Sequence, residues 1–357
     1  MTNATIELIE SLTNANGAPG FEDQVLSVIR EKLADSVQVN EDHIRNLYLR
    51  TQDRDDSKPL VMVEGHSDEV AFMAQSFSVN GMIHILPLGG WHNQTMMGHK
   101  VRVQTISGKY IPGVIASKPP HFMTAREIKE GFSIQEMLVD VGASSIDELV
   151  YEYQIELGAP IVPDVNFEFN EKNGLMLAKA FDNRIGCAAV VQCLSDFSTA
   201  EHEVDIIGVI ASQEEVGLRG IKVAAANVKP DAAIIFEGSP ADDTYGDKTA
   251  FQGALKKGPQ IRHHDRSMIA NPRFVKFARD VAKEMKIPFQ DTVRHSGGTD
   301  GGEVHLTNNG VPTIVIGIPT RYAHTHHCFC ALKDYQIALD WCREIIKRLD
   351  KNILNGF

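Results

Sequence analysis

The sequence predicts an α/β protein: a mainly parallel sheet with helices on both faces, interrupted by a small β-rich insertion. Short apolar runs alternate with segments of helical periodicity along most of the chain, as in strands joined by crossover helices. From about residue 70 to residue 165 the pattern changes to short alternating segments separated by glycines, which is typical of an antiparallel sheet or barrel. We therefore expect one domain from residues 1–69 and 166–357 and an inserted domain from residues 70–165.

The chain is expected to begin with two helices and a buried strand. Apolar residues recur at three- and four-residue spacings in TIELIESLTNAN and FEDQVLSVIREKLAD, which the segment GAPG separates. The run PLVMVEGHSD predicts a buried strand whose carboxyl end carries His66 and Asp68. In the insertion, the segments MIHILPLGG, KVRVQTISG and KYIPGVIAS predict strands, and an amphipathic helix is expected around Ser145 to Tyr153.

The second half of the chain repeats a pattern of strand, polar loop and helix. The segment GLMLAKAFDNRIGCAAVVQCL predicts a strand that runs into a long helix. VDIIGVIASQEEVGLRG and DAAIIFEGSP each predict a buried strand followed by a polar loop. NPRFVKFARDVAKEM, VPTIVIGIPTRYAH and KDYQIALDWCREIIKRL continue the alternation to the end, which favours the parallel-sheet architecture.

Composition narrows the class of protein. The apolar content of 43% and charged content of 23% are ordinary for a globular protein, and the formal charge of −12 argues against a nucleic-acid partner. Five cysteines in 357 residues are too few for a disulfide framework, so reduced thiols are expected. The N-terminal segment MTNATIELIE does not resemble a signal peptide, and no apolar run reaches the length of a membrane helix. We expect a cytoplasmic protein without a membrane partner.

Polar side chains follow several of the apolar runs, where the strands of the sheet are expected to end. Functional groups gather at the carboxyl ends of strands in open α/β sheets. Two histidines and several carboxylates are the ligand mixture of a divalent-metal hydrolase. The candidates are His66, Asp68, Asp182, Glu214, Glu215, Glu237 and His324.

Each candidate alone has an ordinary alternative. Asp68 can hold the imidazole of His66 in the tautomer that binds a metal, or both residues can lie in an exposed loop. Asp182 can bridge two cations or cap a helix. Of the adjacent acids Glu214 and Glu215, one can bind a metal while the other acts as a general base, or both can be solvated surface acids. Only the combined set favours catalysis.

Two further segments carry polar residues close together. RYAHTHHCFC places three histidines and two cysteines within seven residues, but a zinc finger needs a second ligand pair at defined spacing, and none is present. We expect His324 alone to reach a metal. The other four, expected to pack or to line a pocket, are His326, His327, Cys328 and Cys330. In HSGGTDGG, Thr299 and Asp300 are expected either to support the site or to cap the next helix.

The ordered set of motifs resembles a known family. EGHSDEVAFM, FDNRIGCAA, SQEEVGLRG, GGTDGGEVH and IPTRYAH, with LPLGGWHNQ and VIASKPPH in the insertion, resemble the M42 family of dinuclear metalloaminopeptidases. This family includes the tetrahedral (TET) and glutamyl aminopeptidases. The resemblance covers nearly the whole chain. It implies a peptidase domain with an inserted dimerisation domain, and homo-oligomers that range from dimers to tetrahedral dodecamers.

The resemblance also implies the metal ligands. One divalent cation would be bound by His66, Asp182 and Glu237, and the second by Asp182, Glu215 and His324, so that Asp182 bridges the two. Many members of the family have Asp where this chain has Glu237, which leaves an oxygen ligand but changes its reach. Zinc is the expected metal, and mixed nitrogen and oxygen ligands also accept cobalt or manganese.

The implied reaction is removal of N-terminal residues from peptides by a metal-activated water. Asp68 would orient His66, and Glu214 would be the general base. A dipeptidase or an acyl-amino-acid deacylase with the same metal centre is the alternative enzyme. A non-catalytic metal-binding scaffold is less favoured, because metal storage does not need the extra base Glu214. No motif predicts the preferred N-terminal residue of the substrate.

Overall fold

The computed structural model describes residues 2–33, 35, 37–51, 55, 57–197, 202–245 and 251–357, and its elements follow the predicted alternation. The α-helices are α1 (Thr2–Asn14), α2 (Asp23–Lys32), α3 (Ala125–Glu130), α4 (Phe181–Phe197), α5 (Arg219–Val228), α6 (Pro272–Glu284), α7 (Gly301–Val304), α8 (Leu332–Arg348) and α9 (Lys351–Leu354). The strands are β1 (Val37–Glu41), β2 (Leu47–Thr51), β3 (Leu60–His66), β4 (Ala71–Phe77), β5 (Ile83–Leu88), β6 (Lys100–Gln104), β7 (Tyr110–Ile115), β8 (Leu138–Asp140), β9 (Pro160–Pro163), β10 (Glu168–Asn170), β11 (Leu175–Ala178), β12 (Asp205–Ala211), β13 (Ala232–Pro240), β14 (Gln260–His264), β15 (Gln290–Val293), β16 (Thr313–Arg321) and β17 (Cys328–Ala331). None of the helices in the described ranges is long and apolar enough to cross a membrane.

The larger sheet has eleven strands and is parallel only at its centre and at one further pair. Its main path runs β1-β2-β12-β3-β13-β16-β17-β11-β10, and β14 and β15 extend it from β16. The pairs β12–β3, β3–β13 and β13–β16 are parallel, whereas the flanking strands pair antiparallel. The prediction of a mainly parallel sheet therefore holds for the central strands and needs correction at the edges. Short connections such as the one between β1 and β2 can join only antiparallel neighbours.

Helices cover the centre of the sheet on opposite faces. A Cβ atom built on Gly65 of β3 would lie 2.8 Å from the backbone of Gly186, so this face of the strand packs directly on α4. The neighbouring residue Glu64 points the other way, because successive residues of a strand face opposite sides, and it meets Asp300 at the start of α7. The close approach of β3 and α4 requires glycine at position 65.

The insertion forms a closed six-stranded barrel. Its order is β4-β5-β8-β7-β6-β9, and all of its described pairs are antiparallel. The helix expected around Ser145 to Tyr153 is shorter, a π-helix over Glu148–Glu152. The barrel has a hydrophobic core of its own, separate from that of the large sheet, with members such as Phe72, Ile85 and Val103.

A fully buried ion group joins the start of the chain to the centre of the sheet. The ammonium group of Lys179 lies 2.6 Å and 2.8 Å from the two carboxylate oxygens of Glu69, and it donates to the carbonyl of Ala15. Arg184 lies 3.1 Å from the same carboxylate and donates to the carbonyl of Gly17. Buried charges are stable only when they are paired and hydrogen-bonded, so this group holds the segment after α1 against the start of α4.

We expect Lys179→Met to lower the free energy of unfolding by about 3 kcal/mol, because among the described residues it leaves Glu69 with Arg184 as its only buried cationic partner. Chemical denaturation monitored by circular dichroism measures this loss. Lys276→Met is the matched control, because Lys276 pairs with Asp280 on an exposed helix surface, and we expect no measurable change there. Equal effects of the two substitutions would contradict the stabilising role of the buried group.

Candidate metal centre and active site

Five elements bring the candidate residues together at the carboxyl edge of the parallel strands. His66 is the last residue of β3, and the pairing of Ile235 with Glu64 places Glu237 level with it on β13. Glu237 thus lies inside its strand and not at its end. The remaining elements are the start of α4 and the loops after β12 and β16, which carry Asp182, Glu214, Glu215 and His324.

Asp182 lies between the two histidines. Its Oδ1 is 3.2 Å from Nε2 of His66, and its Oδ2 is 3.3 Å from Nε2 of His324. A Cβ atom on Gly238 would lie 2.6 Å from the Cα of Asp182, so the absence of a side chain at Gly238 lets α4 approach β13 this closely. One carboxylate therefore faces a histidine on each side.

Each histidine, with Asp182, belongs to a group of three potential ligands. Nε2 of His66 is 3.5 Å from Oε1 of Glu237, and Nε2 of His324 is 3.4 Å from Oε2 of Glu215. In both groups the ligand atoms all lie within 4.8 Å of one another. The two groups, which share Asp182, contain the residues that the resemblance to the M42 family implies as ligands of two cations.

The barrel contributes to the site through its Gly89–Gly90 segment. Nδ1 of His324 is 2.8 Å from the carbonyl oxygen of Gly90. Because a carbonyl can only accept, Nδ1 carries the proton, and Nε2 is free to bind a cation. A Cβ atom on Gly89 would lie 3.2 Å from Oε2 of Glu215, so the same segment also packs on the second ligand. This contact across the chain could not be read from the motifs.

Asp68 holds the loop that carries the two adjacent glutamates. Its Oδ1 accepts the backbone N–H of Glu214 at 2.9 Å, and its Oδ2 accepts that of Glu215 at 3.0 Å. The expected contact with His66 is longer, 3.4 Å from Oδ1 to Nδ1. Sequence reasoning missed the contact with the loop, because it joins residues 146 positions apart.

The carboxyl groups of the cluster have shifted pKa values. Burial raises the pKa of Glu215 to about 8 against the opposing effect of His324, and burial and Asp182 raise that of Glu237 to about 7. Burial also raises the pKa of Glu214 well above its usual value, although His66 opposes this shift. Asp182 is different, because its bonds to the two histidines outweigh burial and lower its pKa.

The histidines respond to the same carboxylates in the opposite direction. Burial lowers the pKa of His324, but Glu215 and Asp182 raise it to about 10. His66 likewise has a pKa above its usual value, because Glu214, Asp182 and Asp68 outweigh its burial. Oε1 of Glu215 and Oε2 of Glu237 are buried without a hydrogen-bonding partner in the part of the chain that the structure describes. Unpartnered acceptors beside imidazole nitrogens fit divalent cations, whose charge would offset the buried carboxylates.

A second acidic pair lies behind the cluster. Glu64 and Asp300 are fully buried, and their carboxyl groups face each other without another hydrogen-bonding partner among the described residues. Burial raises the pKa of Glu64 to about 8 and raises that of Asp300 well above its usual value. Two carboxyl groups that face each other in this way take up and release protons as a pair. Asp300 makes no capping bond to α7, so the helix-cap alternative is wrong. Glu64 and His66 are two residues apart on β3 and therefore lie on the same face of the sheet, and this spacing was the signal that could have pointed to Glu64.

The histidines that follow His324 pack away from the metal groups. His326 is buried, and its ring stacks on His99 of the barrel at 4.4 Å and lies 5.5 Å from the ring of Trp91. His327 lies 5.5 Å from His99, and two buried cysteines belong to β17. Within the described ranges, the groups of potential ligands include His324 and no other residue of RYAHTHHCFC.

The family model of the M42 glutamyl aminopeptidases matches residues 46–340, most of the chain and every residue of the cluster. The chain belongs to the M42 family. It is therefore a hydrolase of the aminopeptidase class. The M42 motifs account for the convergence of residues from five elements at one edge of the sheet.

Relatives agree with this M42 assignment along the whole chain. The protein is 31% identical over 344 residues to the glutamyl aminopeptidase of Lactococcus lactis subsp. cremoris (strain MG1363), which covers 96% of each chain. It matches the crystal structure of a TET aminopeptidase from the marine sediment archaeon Thaumarchaeota archaeon SCGC AB-539-E09 with a TM-score of 0.93, at 36% identity and 99% coverage of both chains. The TET1 peptidase of Pyrococcus horikoshii, which can assemble into a tetrahedron or a large octahedral shell, shares the fold at 23% identity and a TM-score of 0.86, with 97% of this chain and 100% of that chain covered.

The stability of the metal-free protein should fall as the pH rises from about 5 to about 8. The pKa values of Glu215 and Glu237 lie at about 8 and about 7, above the value of 4.5 for an exposed glutamate, so the folded state holds more protons in this window. His324, with its pKa raised to about 10, contributes stability that is complete below its unfolded pKa of 6.5 and declines progressively from there to about pH 10. We expect a melting temperature several degrees lower at pH 8 than at pH 5.5 in chelator.

Divalent cations should reverse this dependence, because they bind deprotonated ligands more tightly. Differential scanning fluorimetry across pH, with chelator and with added zinc, makes the comparison. A melting temperature of the metal-free protein that stays level or rises over this window would contradict the electrostatic account.

Proposed function

We propose that this aminopeptidase removes the N-terminal residue of peptides with two divalent cations and with Glu214 as general base. The observation that supports this most is the position of Asp182, whose two oxygens face His66 and His324. A bridging carboxylate is a common way to hold two cations about 3.5–4 Å apart. A single-metal site would not need a second histidine on the far side of the carboxylate.

The proposed ligands are His66, Asp182 and Glu237 for one cation and Asp182, Glu215 and His324 for the other. Zinc suits two imidazoles with carboxylates, and cobalt and manganese accept the same donors. The chemistry supplied by cations bound there is polarisation of the scissile carbonyl and a lower pKa for the attacking water. Glu237 reaches within 3.5 Å of His66, so glutamate at this position still converges on the cluster.

Glu214 is the proposed proton carrier. Its Oε2 is 3.8 Å from Nε2 of His66, and Asp68 fixes its backbone. Burial raises the pKa of this carboxyl group, so it is able to take a proton from the attacking water and hold it. It then donates the proton to the departing amine. Glu215, turned toward His324, is left for the metal.

The cluster favours a substrate with a free amine. An unprotonated α-amino nitrogen would be a ligand for one of the cations, whereas the nitrogen of an acylated residue has no lone pair available for a metal. This supports an aminopeptidase over an acyl-amino-acid deacylase. A dipeptidase shares the free amine and remains the alternative. A non-catalytic scaffold would not need Glu214.

We also propose that the protein is a homo-oligomer. In this proposal residues 1–69 and 166–357 form the catalytic domain, and residues 70–165, which contain the barrel, form the dimerisation domain. Large apolar side chains are exposed on the barrel, including Val79, Phe122, Ile128, Tyr151 and Leu157. Exposed apolar surface is usually covered in an assembly. The assembly of the related TET1 peptidase supports a closed shell as the largest form.

The five cysteines are buried and form no disulfide bond, which supports our proposal of a cytoplasmic location.

Hydrolysis of a matched substrate panel tests the proposed function. We expect release of anilide from free aminoacyl-anilides, loss of this release in chelator, and recovery with zinc, cobalt or manganese. Acetylated versions of the same anilides should be hydrolysed at least about 100-fold more slowly, because they lack the amino nitrogen that a cation would bind. Preference for the acetylated series would identify a deacylase, and hydrolysis of dipeptides alone would identify a dipeptidase. No metal-dependent hydrolysis of any member would support the scaffold.

Glu214→Gln should lower kcat by at least about 1000-fold while the bound metal stays at the wild-type level, because glutamine keeps the shape and loses the base. Elemental analysis of the purified variant measures the metal. Glu171→Gln, on an exposed turn, is the control and should keep the wild-type kcat. Near-normal activity of Glu214→Gln would show that another residue is the base.

A further inference from the structure

Four consecutive backbone N–H groups in the loop after β12 donate to buried side chains from other parts of the chain. The bonds run from Ser212 to Oδ1 of Asn46 (3.0 Å), from Gln213 to Oε1 of Glu22 (3.2 Å), from Glu214 to Oδ1 of Asp68 (2.9 Å) and from Glu215 to Oδ2 of Asp68 (3.0 Å). A loop of this kind is usually held by its own turns. Here its backbone is fixed from outside, residue by residue, up to the proposed base.

Glu22 is the unexpected member of this set. It occupies the N-cap position of α2, yet its side chain makes no capping bond to that helix. Its Oε1 instead accepts the N–H groups of Gly20, at 2.8 Å, and Gln213, while Oε2 has no hydrogen-bonding partner among the described residues. The residue is fully buried. A buried carboxyl group is costly unless it is hydrogen-bonded, and the bonds of Glu22 run to Gly20 and to the loop rather than to its own helix.

The hydrogen bond from the N–H of Gln213 to Glu22 lies at the residue where the loop turns. Gln213 has a φ of 54°, in the left-handed region that side-chain-bearing residues seldom adopt. This turn separates the end of β12 from Glu214 and so sets the direction in which the glutamate leaves the sheet. An acceptor on the N–H of Gln213 stabilises this conformation.

We propose that Glu22 is a positioning residue for the general base. By holding the N–H of Gln213, it fixes the turn that aims the carboxyl group of Glu214 at the cluster. The inference rests on the proposed function, since Glu22 acts only through Glu214. A displacement of about 1 Å at a catalytic group can lower a rate by about 100-fold. Asp68 still holds the next two residues, so we expect a smaller loss.

The bond requires an acceptor of the right length more than a negative charge. Burial, and then the nearby Asp68, raise the pKa of Glu22 to about 7, so the position tolerates an uncharged group. Glutamine keeps an oxygen at the same distance from the backbone. Aspartate keeps the charge but is one methylene shorter and withdraws the oxygen from Gln213. We therefore expect Glu22→Gln to be more active than Glu22→Asp.

The test measures kcat, KM, bound metal and melting temperature of the full-length variants, with free aminoacyl-anilides as substrates. Glu22→Ala and Glu22→Asp should lower kcat by about 10-fold or more, leave KM within about twofold and keep the wild-type metal content. Glu22→Gln should stay within about threefold of the wild-type kcat. The comparison of Gln with Asp decides the matter even if Glu22→Ala does not fold.

Asp334→Ala is the matched control. Asp334 is also a fully buried acid that accepts two backbone N–H groups, those of Lys256 at 2.6 Å and Gly258 at 2.9 Å, but it holds a different segment. We expect its kcat to stay at the wild-type value at temperatures where it is folded. If the role of Glu22 were purely structural, Glu22→Ala and Asp334→Ala would both have a lower melting temperature, and both would keep the wild-type kcat.

The positioning role would be overturned if Glu22→Asp kept the wild-type kcat, or if the loss appeared only in KM or in metal content. It would also be overturned if Asp334→Ala lost as much kcat as Glu22→Asp. These outcomes differ from failure of the proposed function, in which the wild-type protein itself lacks chelator-sensitive activity or Glu214→Gln remains active. A wild-type enzyme that depends on Glu214 but not on Glu22 would reject the positioning role alone.

Discussion

The contact of Asp182 with two histidines is the interaction on which the site depends. His66 ends β3 and His324 follows β16, and these strands are not neighbours, because β13 lies between them. A carboxylate from the start of α4 bridges this gap, with one oxygen toward each imidazole. The close packing of α4 on the sheet, through Gly186 against Gly65 and through the bare backbone of Gly238, brings the bridge to its position.

The second constraint is the number of buried acids around this bridge. Glu214, Glu215 and Glu237 converge on two histidines, and Glu64 with Asp300 lies behind them. In the absence of cations this much negative charge is relieved by raised pKa values, on acids and histidines alike. Such an arrangement lowers the stability of the fold. Buried acids with shifted pKa values cluster at functional sites, so we infer that this one is kept for its function.

Local pattern predicted the strands, the barrel and the residues at the mouth of the sheet, because each depends on periodicity within a short segment. The candidate ligands were accessible for the same reason, since the carboxyl ends of parallel strands meet at one edge. Long-range contacts were not accessible. Three such contacts are the pairing of the antiparallel edge strands, the hydrogen bond between His324 and Gly90, and the hydrogen bond from Gln213 to Glu22. In each of them the sequence around one residue does not indicate which distant residue it contacts. The facing pair Glu64 and Asp300 depends on strand alternation together with tertiary packing.

Anomalous diffraction from crystals grown with zinc tests the central claim most directly. Data collected on both sides of the zinc absorption edge locate each bound ion without reference to activity. The account predicts two anomalous peaks per chain, one on each side of the carboxylate of Asp182, with His66 beside one and His324 beside the other. A single peak, or two peaks that do not share Asp182, would contradict it.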